Sequence, residues 1–584
     1  MKDMRKIGIV GVGPRGGYSF ECLIIELIEQ NSLRDIHFSL YEATGDFGNG
    51  QIYDVGQNSS NWLNITERIL ELDERQSIDT KTIKINSFPS YHQWVSKNIK
   101  SLSNVEVDSY PPRAQIGKYL SERFQSFINP LLDAKIVRLH KELVKEIKRL
   151  KNNKVQLNIN DTSFEEFDEI LLTIGHQTTE LSDQILEWEK FARDKAELEL
   201  YKSAYPVESY LKSKTLNEKS IIGIRGFGLA MIDVVRAIAE KYGNFKIVDK
   251  NTGSYRFQIE EKTEIEIVPF SLDGLPPVPK PLNASIDNIF KPSELTISKF
   301  GKQIGDENNQ KDAQSTDLLI SAFAPIAAEV FENISNNNNT DNISNTEIEK
   351  LVFRWLKDQN TEHALFTTLD QAPEESMREF VAMASGNAPI SLDFCIGQVW
   401  RHCQPTIYSE LSYNECSDEV FTEIIKLDES TKRYSYGPPV ASINQLLALI
   451  KSEILNLDFA NNPEIKLTQT GWEIKDSANT ITASIMIDSV IDSPKIKAVK
   501  SSLVRNLLND ELIQVVHDDL GVVTDDCGYL ISKNQEKKIP IALLGRLAKG
   551  TVIGVDAILE CFGSRPQDWA RKAAKNHTDW LNNK

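Results

Sequence analysis

The chain contains no Cys-x-x-Cys pair. Its six cysteines, Cys22, Cys395, Cys403, Cys416, Cys527 and Cys561, are scattered, which argues for reduced thiols and against a structural zinc, so no metal is expected. A basic block is missing too: 66 Lys and Arg stand against 84 Asp and Glu, a formal net charge of −18. Nucleic acid and anionic membrane surfaces are therefore not expected partners. No apolar run approaches membrane-spanning length, so no membrane segment is expected. The first apolar run begins within a few residues of Met1, leaving no room for a signal peptide, and the expected location is cytoplasmic. No Ser-His-Asp or Cys-His constellation stands out, an absence that leaves cofactor-borne chemistry untouched.

At 584 residues the chain is too long for one core and calls for about three or four domain-sized units, some of them from discontinuous segments. Its opening is the most informative stretch. Ile7, Ile9 and Val10 read as a buried strand that enters Gly11-x-Gly13-Pro14-Arg15-Gly16 and leaves in helical period through Phe20, Leu23, Ile24 and Leu27. This is the context of a dinucleotide turn. Gly11 allows the bend, Gly13 lets a pyrophosphate approach the backbone, and Gly16 lets the helix pack close. An ordinary glycine turn is the competing interpretation. Ile36 to Tyr41 is a second strand ending at Glu42, where a carboxylate would bond a ribose.

The loop Gly48-Asn49-Gly50, followed by Trp62-Leu63-Asn64, could lie against a flat ring. Pro111-Pro112-Arg113 starts a helix whose arginine could face an anion or solvent. Val155 to Ile159 is read as a strand, followed by an acidic turn and the apolar run Ile170-Leu171-Leu172 that stops at Thr173-x-Gly175. A second turn, Gly226-x-Gly228, again lies between a strand and a helix, but its third small position is Met231. From about residue 285 to 480 the period is mostly helical, with an asparagine-rich tract from Ser335 to Thr346 read as an exposed loop. Arg401, His402 and Arg433 are candidate substrate anchors, or simply surface cations. Near the end, a strand from Ile541 runs to Gly545, and Lys549 to Asp556, including Thr551, is read as opening a final helix.

Jointly these stretches resemble the FAD-NAD(P)-binding family of two-dinucleotide-domain flavoproteins, relatives of flavin N-hydroxylating monooxygenases. The resemblance is carried by Gly11-x-Gly13-Pro14-Arg15-Gly16, Gly50-x-x-Tyr53, Leu63-Asn64, Pro112-Arg113, Thr173-x-Gly175-His176, Tyr205-Pro206-Val207, Gly226-x-Gly228-Leu229, Gly437-Pro438-Pro439, Gly545-Arg546 and Gly550-Thr551. It implies an α/β fold of two Rossmann-like dinucleotide-binding domains, the second inserted in the first, plus a mostly helical insertion. The expected borders are 1–200 with 500–584 for FAD, 201–284 for NAD(P)H, and 285–499 for a helical substrate or cap region.

The resemblance implies FAD and NADPH as cofactors. The family usually places an arginine after the serine of a Ser-x-x-Gly-Leu-Pro segment, and Leu272 stands there, so NADH stays open. Implied cofactor contacts are Gly11, Gly13, Pro14, Arg15, Gly16, Glu42, Gly50, Trp62, Arg113, Thr173, Gly175, Gly226, Gly228, Gly545 and Thr551, with Asn64 as the catalytic candidate. The implied activity is N-oxidation, through a peroxyflavin, of a small-molecule amine or amino acid with oxygen as co-substrate. The nitrosuccinate-forming enzymes that act on L-aspartate are the chemistry most like it. A flavin dehydrogenase without oxygen insertion and a non-catalytic flavin sensor remain alternatives, and a homo-oligomer is open.

Overall fold

A computed structural model of the chain describes residues 4–96, 101–160, 163–260, 262–335, 343–491, 495–518, 520–532, 539–555 and 557–584. Two parallel sheets are built from β1 (Arg5–Val10), β2 (Ile36–Tyr41), β3 (Val137–His140), β4 (Glu169–Leu172), β5 (Glu199–Tyr201), β6 (Ile221–Arg225), β7 (Glu266–Phe270), β8 (Ile485–Asp488) and β9 (Ile541–Leu543). The five-stranded sheet has the order β9-β4-β1-β2-β3, and the four-stranded sheet β5-β8-β6-β7. Every pairing in both is parallel. Ile7, Ile9, Phe38, Leu40 and Leu171 are fully buried, as expected of a parallel sheet covered on both faces.

Helix α1 (Pro14–Glu29) begins with proline at its first position, where the fixed φ suits a helix and the missing N–H is no loss. It turns Phe20, Leu23, Ile24 and Leu27 into the sheet's core, joined there by Phe124, Phe127 and Leu131 of α2 (Arg113–Asp133). The C-terminal helix Ser564–Asn582 packs its alanine face, Ala570, Ala573 and Ala574, with Trp569, into the same core. Arg5 pairs with buried Glu169, which also accepts from the Tyr529 hydroxyl. The first unit is thus made from both ends of the chain, and the second is inserted in it.

In the second unit, β6 leads to α3 (Leu229–Glu240), and Gly243–Asp249 with Ser254–Ile259 forms an antiparallel hairpin outside the parallel sheet. β8 enters this sheet from beyond residue 284, so the inserted unit gathers chain on both sides of the helical region. That region includes Glu294–Ile304, Asp317–Ser335, Asn345–Lys357, Pro373–Ala384, α4 (Leu392–Glu410), α5 (Asp418–Ser435) and α6 (Val440–Lys451). Phe323, Trp355, Phe394 and Trp400 lie in its core. No helix of the described residues is long and apolar enough to cross a membrane.

Two local expectations change. The segment after Val155–Asn160 is not only an acidic turn, because Ser163–Phe167 pairs back antiparallel, with Glu165 taken by the Tyr41 hydroxyl at 2.7 Å. The last helix starts at Ser564 rather than near Thr551, since Gly550 (φ 121°) and Gly554 (φ 75°) adopt backbone that ends helical propagation. Residues 336–342 of the asparagine-rich tract, and Asp556, lie outside the described residues.

Candidate functional site

The first turn is closed sterically. Gly11 has φ 87° and gives its N–H to the Tyr41 carbonyl at 2.8 Å, and a Cβ on it would lie 2.5 Å from the Thr173 carbonyl oxygen. A Cβ on Gly16 would lie 2.2 Å from the Gly11 oxygen, to which the Thr173 hydroxyl also donates. Glu42, just past β2, accepts from Val12 N–H at 2.8 Å through one carboxylate oxygen and from the Thr44 hydroxyl at 3.2 Å through the other. A Cβ on Gly13, which caps α1, would lie 3.6 Å from Gly50 Cα. Two side-chain-free backbones therefore face one another at the α1 N-terminus, where free N–H groups and the helix dipole favour an anion.

Arg15 sharpens this picture. Its side chain is buried; Nη2 donates to the Val555 carbonyl at 3.1 Å, while Nη1 has no hydrogen-bond partner among the described residues. Nη1 lies 3.5 Å from the position of a Cβ on Gly545. A buried donor left unmet costs about 1–3 kcal/mol, so this N–H calls for an acceptor beyond the described residues. Gly175 (φ 63°) faces open space, with nothing within 4 Å of a Cβ.

The second turn is looser. Gly226 (φ 113°) donates to the Phe270 carbonyl at 2.8 Å and faces the Ser489 hydroxyl. A Cβ on Gly228, the cap of α3, would meet nothing within 4 Å. Met231 is fully buried in a core with Ile222 and Val235, so α3 stands off on a side chain where α1 stands on a glycine. Arg225 is held by Asp488 at 2.9 Å and Gln184 at 3.0 Å, and Leu272 is largely exposed.

Two expected cofactor contacts sit where the units meet. Arg113 pairs with Asp233 of α3 at 3.3 Å and lies 5.2 Å over the Tyr205 ring; Tyr205 donates to the same carboxylate at 2.6 Å. Burial would lower the Arg113 pKa, but Asp233 and Tyr205 outweigh it and hold it above the usual value. Arg236 lies 4.0 Å over Trp62, pairs with Asp233 at 3.3 Å, and donates to Ser60 O, Ser442 and Gln445. Burial lowers its pKa. The anion that Arg113 faces is thus Asp233, and Trp62 supports a cation.

A third cluster joins four chain segments around Asn64. Asn64 Nδ2 donates to the Tyr436 carbonyl at 2.8 Å, its Oδ1 is buried without a partner, and its backbone oxygen accepts from Lys280 Nζ at 2.6 Å. Arg401 pairs with Asp287, and His402 Nε2 lies 3.3 Å from the same carboxylate. Burial pushes the Asp287 pKa up, yet hydrogen bonds and charge from His402 and Arg401 hold it below the usual carboxylate range. Arg433 stands apart: it donates to the Pro276 carbonyl at 3.0 Å and lies over Phe380 and Tyr434. The Thr551 hydroxyl is engaged with Val522 O and Thr524 N–H, away from any helix start. Asp525, Asp526 and Cys527 bring ligand-type atoms within 4.8 Å of one another, but Asp525 already accepts from the Cys527 and Tyr529 N–H groups.

Sequence reasoning passed over Lys280, Asp287 and Arg236. The only signal for Lys280 was its place between Pro279 and Pro281, residues that fix a backbone.

Residues 8–177 match the family described as FAD-NAD(P)-binding. That span holds the first turn, Glu42, Gly50, Thr173 and Gly175. No curated protein matches the chain. Among solved structures, the chain is similar to OTEMO in complex with FAD and NADP, with 12% identity over 99% of this chain and 85% of that one and a TM-score of 0.42. It is similar to a cyclohexanone monooxygenase mutant from Rhodococcus sp. Phi1 bound to NADP+, with 10% identity, 98% and 85% coverage and a TM-score of 0.44. It is also similar to the reduced ornithine hydroxylase PvdA from Pseudomonas aeruginosa, with 12% identity, 98% and 99% coverage and a TM-score of 0.44.

Proposed function

We propose that the protein is an FAD-dependent, NAD(P)H-driven monooxygenase that N-oxidises the amine of a small amino acid, with L-aspartate the first candidate. The observation that carries this reading is the first turn: a Gly13–Gly50 backbone seat beside a buried Arg15 donor that has no acceptor among the described residues. Those residues fit FAD. Gly11, Gly13, Pro14 and Gly16 with the α1 N-terminus would hold its pyrophosphate, Glu42 a ribose, and Arg15 with Gly50, Thr173, Gly175 and Gly545 the remainder. Gly226 and Gly228 would seat NAD(P)H. The chemistry supplied by bound FAD would be two-electron transfer from NAD(P)H and activation of oxygen.

The chain's own contribution is binding, orientation and exclusion of water. The Arg113–Asp233–Tyr205 contact fixes the two units against each other, and the Trp62–Arg236 stack closes the adjoining seam. Asn64 Oδ1 offers an acceptor to an amine N–H, which would orient the nitrogen lone pair. We place the first unit at the two chain ends, the second on β5 to β8, and the substrate-facing region on α4 to α6.

FAD-reconstituted protein tests the reading. NADH and NADPH oxidation is followed with L-aspartate, L-lysine, L-ornithine or no amine, with peroxide and oxidised nitrogen product measured together. An amine-dependent rise in turnover with oxygen recovered on nitrogen is expected. Turnover that no amine raises, with all oxygen leaving as peroxide, would sink N-oxidation, and protein that takes up no FAD would sink the whole assignment.

A further inference from the structure

Lys280 is a cation without a counter-ion. Its Nζ donates to the Asn64 carbonyl at 2.6 Å, and among the described residues no carboxylate pairs with it. Asp287, the acid that acts on it, is occupied by Arg401 and His402. Asp108, in the same neighbourhood, is occupied by Arg68 at 2.9 Å. The backbone beneath Lys280 is rigidly set: its N–H bonds to Pro438 O at 2.9 Å, and Val278 N–H bonds to Arg433 O at 3.0 Å. A Cβ on Gly437 would lie only 1.6 Å from Val278 O, so the Tyr436–Pro439 turn and this segment are in direct contact.

Burial, reinforced by Arg401, pushes the Lys280 ammonium down to about 7. Two N–H groups of a protonated Nζ remain for a ligand after the Asn64 bond. A free acceptor is on the same residue, since Asn64 Oδ1 is buried and without a partner among the described residues. A donor cation bonded to the Asn64 backbone and a bare amide oxygen on the same residue's side chain complement a zwitterion. A phosphate or simple dianion would set its own oxygens against Asn64 Oδ1, which favours a ligand carrying an N–H as well as a carboxylate.

We propose that Lys280 is the carboxylate anchor for an α-amino acid whose amine nitrogen lies against Asn64 Oδ1. This assignment rests on the proposed function for the identity of the ligand as the amine that is oxidised, and it names the substrate class. It also moves the anchor away from Arg401 and His402, which are both engaged with Asp287.

The test is calorimetric titration of FAD-loaded protein with L-aspartate, L-ornithine and L-lysine, and with putrescine and cadaverine as the last two without their carboxylates. At least one amino acid is expected to bind, with the diamines at least tenfold weaker. Lys280→Met should weaken amino-acid binding about 30-fold, the scale of one charge-assisted hydrogen bond, while Lys280→Arg keeps most of it. Equal binding by wild type and Lys280→Met, equal losses in Lys280→Met and Lys280→Arg, diamines that bind as well as amino acids, or no binding by any of the three would each overturn the anchor. The functional reading fails separately: wild-type flavin that NAD(P)H cannot reduce, beside amino-acid binding that Lys280→Met abolishes, would remove the monooxygenase and leave the anchor standing.

Discussion

At the first turn a Cβ on Gly16 would sit 2.2 Å from the Gly11 carbonyl oxygen, whereas at the second the equivalent residue, Met231, is itself packed into the core. One helix meets its strand with no side chain between them, and the other carries a buried methionine at the corresponding position. The surroundings differ in the same sense. Glu42, Gly50, Thr173, Arg15 and Gly545 converge on the first turn from both chain ends. The second is flanked mainly by Ser489 and the Arg225–Asp488 pair, and Gly228 faces open space. A closed seat with an unmet buried donor suits a cofactor that stays. An open one suits a dinucleotide that comes and goes.

The largest effects should come from the two equivalent positions. Gly16→Ala adds a methyl where none fits and should cost about 3 kcal/mol by overpacking, abolishing FAD uptake. Met231→Ala should cost about as much, within 2–5 kcal/mol, by opening a cavity, yet leave FAD bound. Denaturant unfolding with and without FAD separates the two, and Gly16→Ala protein that keeps its flavin would break the contrast. Next, Arg15→Met removes the unmet donor and should raise the FAD dissociation constant about 30-fold, measured by flavin fluorescence; an unchanged constant would show that Arg15 serves only Val555.

A smaller, more diagnostic pair is Gly13→Ala and Gly228→Ala. Neither Cβ meets a clash, so both should change apoprotein stability by no more than about 0.5 kcal/mol. Gly13→Ala should lose FAD, and Gly228→Ala should keep it while the NAD(P)H concentration for half-maximal reduction rises about tenfold. Smallest is a pH effect at Lys280. Lys280 is lowered to about 7, so its cationic form, which holds a carboxylate, is full well below that pH and lost above it. Amino-acid affinity should fall about twofold from pH 7 to pH 7.5; affinity that rises over that interval would contradict the sign.

How much of this was legible in the sequence follows from how local each feature is. The first turn, Glu42 and Thr173 could be read because strand, glycine spacing and helix period lie within short windows. β8 could not, since its partner in the sheet is more than two hundred residues away and its own apolar run has no distinguishing mark. Arg113 was left open between an anion and solvent, and nothing near it in sequence reveals that it faces Asp233. Arg401 and His402 were found for their charge, which Asp287 then absorbs. Lys280 was missed because its significance is the lack of a paired carboxylate among the described residues, a property that appears only when Asn64, Tyr436 and Pro438 are brought beside it. The helix expected to open near Thr551 starts later because Gly550 and Gly554 adopt positive φ, which the sequence alone does not display.

The most direct test of the central claim, FAD at the first turn and NAD(P)H at the second, is anaerobic stopped-flow reduction of FAD-loaded wild type and Gly228→Ala. Equal flavin content, with reduction at limiting NAD(P)H slowed about tenfold in the variant, is the expected result. A variant reduced as fast as wild type, or a wild type that NAD(P)H does not reduce at all, would contradict the account.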